Sequence, residues 1–192
     1  MDAYFKVIAW LKERGLSLSG REQNLFCSRT AVRTIRAKEV LMAQDQKVEK
    51  FYFLNSGIVR LYRDYEGNNH TLGLIDSNDF LAAPQMVMSG EISTCSLETL
   101  TEAAVLEWNA EDILFIKERI GSVYTIELAI MTRLLNWVQQ NQIELVCLSA
   151  EERYRLLLER QPDVLLRIPL KYVASFLGIH TDSLSRIRKK IS

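Results

Sequence analysis

The chain has 192 residues, 48% of them hydrophobic, and its 24 basic and 24 acidic side chains give a net charge of zero. This composition suffices for a folded core in one large or two small domains. No apolar run approaches the roughly 18 residues of a membrane span and no signal peptide opens the sequence, so we expect a cytoplasmic protein without membrane contact.

The first part of the chain predicts two helices. The first is amphipathic, and its predicted inward-facing residues are Phe5, Ile8 and Leu11. A second helix is predicted over residues 18–29. Ser19 and Glu22 within it have the spacing of a capping box, in which each satisfies a free backbone N–H of the other.

From Thr30 onward the hydrophobic periodicity changes from helical to alternating. Short stretches of β-branched and aromatic residues follow one another, separated by turns that contain glycine or asparagine. The predicted strands are 31–35, 39–42, 51–54, 58–62, 71–75, 93–100 and 103–108. Between them, residues 79–86 are predicted to form a loop with a short helical turn. This spacing indicates an antiparallel sandwich or barrel, here called the β-roll.

A long helix is predicted after the β-roll. Asn109 can cap a helix over residues 111–119, and residues 122–148 then run without proline or glycine. Steps of four and three along this run form a heptad pattern, which is typical of pairing with a second helix. This heptad stripe consists of Tyr124, Leu128, Met131, Leu135, Val138, Gln142 and Leu145.

A second apolar stripe on the same helix leaves two interpretations open. Its members are Ile126, Ile130, Leu134 and Trp137. They could pack on the β-roll while the heptad stripe pairs with a second copy of the chain, which predicts a homodimer. The alternative is that the whole helix packs against its own sheet.

The C-terminal segment predicts a helix-turn-helix. Ser149 and Glu152 form a capping box that starts a helix ending at Arg160. After Pro169, the apolar face of the next helix consists of Leu170, Val173, Ala174 and Leu177. Gly178 suits a left-handed helix end, and the last helix begins near Thr181. Because cations outnumber acids here, the second helix is predicted to lie in the DNA major groove, the alternative being an ordinary helical hairpin with a basic tail.

Chemistry assigns roles on the last helix. The guanidinium of Arg186 can donate two bonds to guanine, and the carboxylate of Asp182 can accept one from cytosine. Thr181, Ser183 and Lys189 would contact phosphates, which position a protein without specifying sequence. The predicted DNA-binding residues are His180, Thr181, Asp182, Ser183, Ser185, Arg186 and Lys189.

Neither a catalytic site nor a metal site is predicted. Cys27, Cys95 and Cys147 form no CxxC pair or Cys/His cluster, which favours reduced thiols over a zinc or iron–sulfur centre. The sequence has no constellation of paired carboxylates, of Ser/His/Asp or Cys/His residues, and no phosphate loop. We therefore expect no enzyme and no cofactor.

The order of a β-roll, a helix with a heptad pattern and a helix-turn-helix resembles the Crp/Fnr family of bacterial transcription regulators. The most specific segments are 53–61 (FLNSGIVRL), similar to the family's glycine-turn hairpin, and 177–179 (LGI) with 184–186 (LSR). The resemblance implies an α+β fold with three parts. They are an antiparallel, jelly-roll-like, cyclic nucleotide-binding-like β-roll with flanking helices (1–121), a dimerisation helix (122–148) and an all-α helix-turn-helix domain (149–192).

The resemblance also implies partners. Family members are homodimers that bind roughly palindromic double-stranded DNA, and RNA polymerase is a further expected partner. An acid, a serine or glycine and an arginine read bases in this family, and Asp182, Ser185 and Arg186 hold those places. The last stretch is similar to members from Bacteroidetes-type bacteria, and it reaches Ser192 without the family's β-hairpin wing, so weaker DNA backbone contact is expected. The alternative function is a ligand- or partner-binding module that has lost DNA binding.

The effector pocket departs from the family pattern. Ala82 and Ala83 hold the places of the family's Gly-Glu pair on the ribose, and Ser93 holds the place of its arginine on the cyclic phosphate. Without those charges the nucleotide would be buried without polar partners, which argues against cyclic AMP. An unknown ligand would sit between the β-roll and the long helix. Its predicted lining residues are Phe80, Ala82, Ala83, Gln85, Ser93, Thr94 and Gln139.

Overall fold

The computed structural model describes residues 3–76 and 78–191. The predicted outer domain limits, Met1 and Ser192, lie outside the described residues. The helices are α1 (Phe5–Glu13), α2 (Gly20–Ser28), α3 (Pro84–Ser89), α4 (Ala110–Arg119), α5 (Val123–Cys147), α6 (Ala150–Arg160), α7 (Pro162–Arg167), α8 (Leu170–Phe176) and α9 (Thr181–Ile191). The strands are β1 (Ala31–Ile35), β2 (Val40–Met42), β3 (Lys50–Ser56), β4 (Val59–Tyr65), β5 (Asn68–Ile75), β6 (Asp79–Phe80), β7 (Ser96–Thr99) and β8 (Ala103–Asn109).

Two four-stranded antiparallel sheets form the β-roll, with strand orders β1-β8-β3-β6 and β2-β7-β4-β5. Phe51 lies opposite Trp108 across β3 and β8, which places both side chains on one face of the first sheet. On that face Phe80 stacks on Phe51 with ring centroids 5.1 Å apart, and Trp10 of α1 meets Phe80 edge-on at 4.9 Å. The predicted antiparallel β-roll is confirmed, and α1 covers its aromatic face.

The predicted helix starts are also confirmed. The Glu22 N–H donates to the Ser19 hydroxyl at 3.3 Å, and the Ser19 N–H donates to the Glu22 carboxylate at 2.8 Å. The same reciprocal capping box starts α6, and Asn109 caps α4 together with Asp112. These ends formed as predicted because a cap depends only on residues within one turn of each other.

Two details of the helices differ from the sequence-based expectation. Phe5 is 63% exposed, because the buried side of α1 consists of Val7, Trp10 and Leu11. Of the predicted inward residues, Leu11 is buried and Ile8 packs against the core, so only Phe5 was assigned wrongly. Helix α7 was not predicted, although Pro162 occupies its first turn, where the missing N–H costs nothing.

A second apolar core joins the C-terminal helices to the β-roll. It consists of Ile58, Leu74, Tyr154, Leu157, Val164, Ile168, Val173, Ala174, Leu177 and Leu184, all buried. Two of these side chains, Ile58 and Leu74, belong to the β-roll, and the others lie in the C-terminal helical segment. Burial of apolar side chains is the main stabilising contribution to folding, so the C-terminal helices are held against the β4–β5 region.

Replacement of Gly57 by alanine is expected to destabilise the fold strongly. Its φ is +106°, and an added Cβ would lie 2.7 Å from the Cβ of Ala103 and from the carbonyl oxygen of Glu102. Strain and overpacking together predict a loss of about 2–6 kcal/mol in the free energy of unfolding. Gly67 is the matched control, since its φ is +75° but its Cβ would meet nothing within 4 Å. Urea unfolding should show a clearly smaller loss for Gly67→Ala, and equal losses would contradict the packing argument.

Candidate nucleic-acid interface and effector site

Helix α9 presents a polar face to solvent. Leu184 is fully buried in the second apolar core and anchors the helix, while Gly178 makes the tight turn before it with a φ of +65°. On the face away from Leu184, Asp182, Ser185, Arg186 and Lys189 are exposed, and the remaining exposed members of the predicted DNA-binding set, His180 and Thr181, lie at the N-terminal end of the helix. Ser183 is half-buried. The structure therefore brings most of the predicted set onto one accessible surface, here called the α9 face.

The charge on the α9 face is concentrated on two cations. Lys190 is paired with Glu151 at 2.7 Å, and this hydrogen bond lowers the pKa of the Glu151 carboxyl. Within residues 3–76 and 78–191, Arg186 and Lys189 have no ion-pair partner. The Ser185 hydroxyl donates to the Thr181 carbonyl at 3.0 Å, so its oxygen still accepts. The face thus offers two cationic donors for acidic groups beside two hydroxyls and one carboxylate.

Arg153 holds the turn of the helix-turn-helix in place. Its guanidinium donates to the Leu148 carbonyl at 2.6 Å, where α5 ends, and to the Leu177 carbonyl at 2.7 Å, just before Gly178. One side chain therefore ties the end of the long helix to the turn that sets the angle of α9. Sequence reasoning did not identify this positioning residue, since its partners lie on both sides of it along the chain.

Helix α8 is docked on β5. The Ser175 hydroxyl accepts from the Thr71 N–H at 2.9 Å and donates to the Asn69 carbonyl at 3.3 Å. The Arg60 guanidinium pairs with Glu98 at 2.6 Å and lies 4.4 Å from the ring centre of Tyr172 on α8. These contacts were missed by sequence reasoning. Ser175 and Thr71 are 104 positions apart, and no short motif marks such a pair.

Helix α5 has two opposite faces, as predicted. The apolar members of the heptad stripe are 45–67% exposed, and Gln142 is exposed as well. On the other side, Ile126 and Ile130 are buried against the β-roll. A stripe of large apolar side chains this exposed along one helix is typical of an interaction surface.

The predicted effector-site residues are divided between core and surface. Phe80, Ala82, Ala83 and Ser93 are buried, whereas Gln85, Thr94 and Gln139 are exposed. The Ser93 hydroxyl donates to the Cys95 carbonyl at 2.6 Å, so it is already used in a local turn. The assignment of these seven residues to an effector site therefore stays a prediction.

Two cavities of the protein have linings that differ from this set. One, of about 40 Å³, lies between the aromatic face of the β-roll and helices α1, α2, α4 and α5, in the region predicted for a ligand. Its lining includes Phe80 and one charged residue, Glu127, which pairs with Lys117 at 2.8 Å. That volume holds about one water molecule. A groove of about 400 Å³ between β1 and β2 is lined by Arg33, Glu39, Lys47, Glu49, Lys50 and Glu107, among others. No member of the predicted effector set other than Phe80 lines either one.

An ion pair also connects the β-roll to α5. Arg133 of α5 contacts the Asp79 carboxylate of β6 at 2.6 Å. Burial raises the pKa of the Asp79 carboxyl, and the adjacent Arg133 opposes that rise.

The described residues contain no group of three or more His, Cys, Asp or Glu side chains that could hold a metal ion. None of the helices in the described ranges is both long and apolar enough to cross a membrane.

Comparison with known proteins identifies the class of the β-roll and of the whole fold. Residues 32–119 match the cyclic nucleotide-binding domain family. The c-di-GMP-responsive global regulator CLP of Xanthomonas campestris superposes with a TM-score of 0.70 at 17% identity, covering 90% of this chain and 91% of that one. FixK2 from Bradyrhizobium japonicum gives 0.72 at 18% identity and covers 84% of both chains. No curated protein sequence matches the chain.

A further similar structure is described as a Crp/Fnr-family transcriptional regulator from Eubacterium rectale. Its TM-score is 0.71 at 16% identity, and the match covers 94% of this chain and 85% of that one. Residues 32–119 are therefore similar to the cyclic nucleotide-binding domain, and the chain has the fold of these solved structures, so the predicted fold class is confirmed.

Proposed function

We propose that the protein is a sequence-specific, DNA-binding transcription regulator of the cytoplasm with no enzymatic activity. The observation that carries the proposal is the α9 face. Arg186 and Lys189, which have no ion-pair partner among the described residues, lie beside a carboxylate and a hydroxyl on a helix anchored by the buried Leu184. Arginine and carboxylate side chains distinguish base edges in the major groove, and lysine neutralises phosphate. The Arg153 guanidinium bonds to the Leu177 carbonyl in the turn before α9, and the residues of the α9 face remain exposed.

We propose further that the protein acts as a homodimer through the heptad stripe. A C2 pair presents the same patch from both copies, and a heptad repeat is self-complementary in that way. Two copies of α9 then read a roughly palindromic operator, meaning the DNA site bound by the dimer. Its half-sites are expected about one helical turn, or ~34 Å, apart. RNA polymerase is the partner through which such a regulator would act.

For the sensor domain we propose that cyclic AMP is not the effector. Ala82 and Ala83 are buried and carry no group for a ribose hydroxyl, and the Ser93 hydroxyl is bonded to the chain itself. A cyclic phosphate in this position would find no free cation, because the neighbouring Arg63 guanidinium already donates to the Thr94 carbonyl. Burial of the phosphate charge without a partner costs several kcal/mol. We also propose that the chain divides into three parts, which are the sensor domain (1–121), the dimerisation helix (122–148) and the helix-turn-helix domain (149–192).

The proposal is tested by selecting bound fragments from genomic or random DNA with purified protein at moderate salt and no added effector. We expect an enriched palindrome whose binding weakens steeply as salt rises. A selection without enrichment, repeated with the same result in the presence of cellular metabolites, would favour the alternative of a ligand- or partner-binding module that no longer binds DNA.

A further inference from the structure

The indole ring of Trp137 on α5 lies directly on the backbone of Gly73 in β5. A Cβ built on Gly73 would lie 2.6 Å from both Cη2 and Cζ2 of Trp137, and 3.7 Å from the Cβ of Leu61. Gly73 is not among the glycines with positive φ, so the strand conformation does not require glycine here. The missing side chain instead makes room for the ring.

Strand β5, which contacts Trp137 at Gly73, also contacts the C-terminal helices. Successive strand residues point to opposite faces, and Leu74, next to Gly73, is buried in the second apolar core. The Leu74 carbonyl also accepts a hydrogen bond from the side chain of Gln161 at 3.3 Å, and the Thr71 N–H donates to Ser175 of α8 at 2.9 Å. One strand is therefore held between α5 on one side and α6 to α9 on the other.

The ring also lies between the β-roll and α5, the region in which a ligand was predicted to bind. The stripe of Trp137 faces the β-roll, whereas Gln139, the α5 member of the predicted effector set, lies two residues further along and is exposed on the other side of the helix. At about 100° per residue, Trp137 and Leu135 point in nearly opposite directions around the helix. The contact between the indole ring and Gly73 therefore fixes how α5 is rotated about its own axis. In this rotation the heptad stripe points away from the β-roll.

We propose that Gly73 and Leu61 form an aromatic-ring site on the β-roll, and that Trp137 of the same chain is its resident occupant in place of a diffusible effector. This inference rests on the proposed function. With the ring seated, both surfaces that DNA binding needs, the α9 face and the heptad stripe, are exposed. The protein then binds its operator without any added small molecule.

The first test removes the ring. Trp137→Gly leaves an apolar cavity of indole shape, and such cavities accept small aromatic molecules from solution. We expect the operator affinity of this variant to fall by about tenfold or more, the usual size of coupling between sites, and its unfolding temperature to fall as well. Indole or 3-methylindole at millimolar concentration should restore both in the variant and change neither in the wild type.

The second test is a double-mutant cycle. Gly73→Ala keeps the ring but places a methyl group where the ring lies, so the unfolding temperature and operator affinity should both fall. In the Trp137→Gly background the same Gly73→Ala change should cost little, because the colliding atoms are gone. Losses that simply add in the double variant would overturn the proposed site.

The readouts separate this inference from the function on which it rests. Unfolding temperatures can be measured without an operator, so the ring site can be tested even if the wild type selects no DNA. The absence of selected DNA would contradict the proposed function and not the ring site. Failure of indole to stabilise Trp137→Gly would overturn the ring site. A cyclic nucleotide or another small molecule that raises the operator affinity of the wild type would overturn the resident role of Trp137.

Discussion

Replacement of Leu135 by glutamate is expected to convert the protein to monomers and to weaken operator binding at the same time. Leu135 is 67% exposed in the single chain and lies at the centre of the heptad stripe. In a paired helix the glutamate would be buried without a cation, and the change occurs twice in each dimer. Sedimentation velocity and operator titration on the same preparation measure both effects.

The expected magnitude follows from burial. Loss of a buried leucine side chain costs about 2–5 kcal/mol, so two copies cost at least about 4 kcal/mol per dimer. That corresponds to a dimer dissociation constant raised roughly a thousandfold or more. A monomer also loses the gain from binding two half-sites together, which lowers operator affinity by roughly 10²–10⁴-fold.

Asn136→Glu is the matched control. Asn136 is the next residue on α5, is exposed, and lies about 100° around the helix from Leu135. The control variant adds the same charge to the same helix and is expected to remain dimeric with near-normal operator binding. Dimers that persist in Leu135→Glu would remove α5 from its assigned role, and monomers in both variants would indicate a general charge effect.

Replacement of Arg186 by alanine is expected to abolish sequence preference at one position of each half-site. A bidentate arginine–guanine pair discriminates by about 1–3 kcal/mol, so a dimer loses about 2–6 kcal/mol on its operator. Binding to unrelated DNA should fall far less, because it depends on phosphates. Competition titrations of operator against scrambled DNA give the ratio of the two affinities.

Lys189→Ala provides the contrast on the same helix face. Lys189 is exposed and has no ion-pair partner among the described residues. As a phosphate contact it should weaken operator and scrambled DNA alike, and lower the slope of log affinity against log salt by about 2 per dimer. If Arg186→Ala gave this uniform pattern instead, Arg186 would be a phosphate contact and the base-reading role would be wrong.

Local features of the fold could be predicted from the sequence because their causes lie within a few residues. The capping boxes at Ser19 and Ser149, the cap at Asn109 and the turn at Gly178 each depend on neighbours in the same helical turn. The division of α5 into an exposed and a buried stripe follows in the same way from helical periodicity. Most of the predicted DNA-binding residues share one exposed face for this reason.

The effector site could not be predicted in the same way. Its residues come from strand β6, the loop after it, a turn and the two helices α3 and α5, and the resemblance to a family places them only where their backbone positions correspond. Gln85, Thr94 and Gln139 are exposed while Ser93 bonds to Cys95, and neither arrangement follows from residue type. The wrong choice of Phe5 for the buried side of α1 has a similar origin, since two stripes of that helix were both apolar.

The sequence by itself determined the order of the β-roll, the long helix and the helix-turn-helix, the starts of α2, α4 and α6, and the two surfaces proposed to pair and to bind DNA. Caps, turns and periodicity act over a few residues, whereas strand β6 and helix α7 were missed. Only the tertiary structure decided how the parts are joined. The seating of Trp137 on Gly73 and the docking of Ser175 on β5 bring together residues far apart in the chain. Such contacts depend on shape and on the space that a missing side chain leaves, and neither is written in a local pattern.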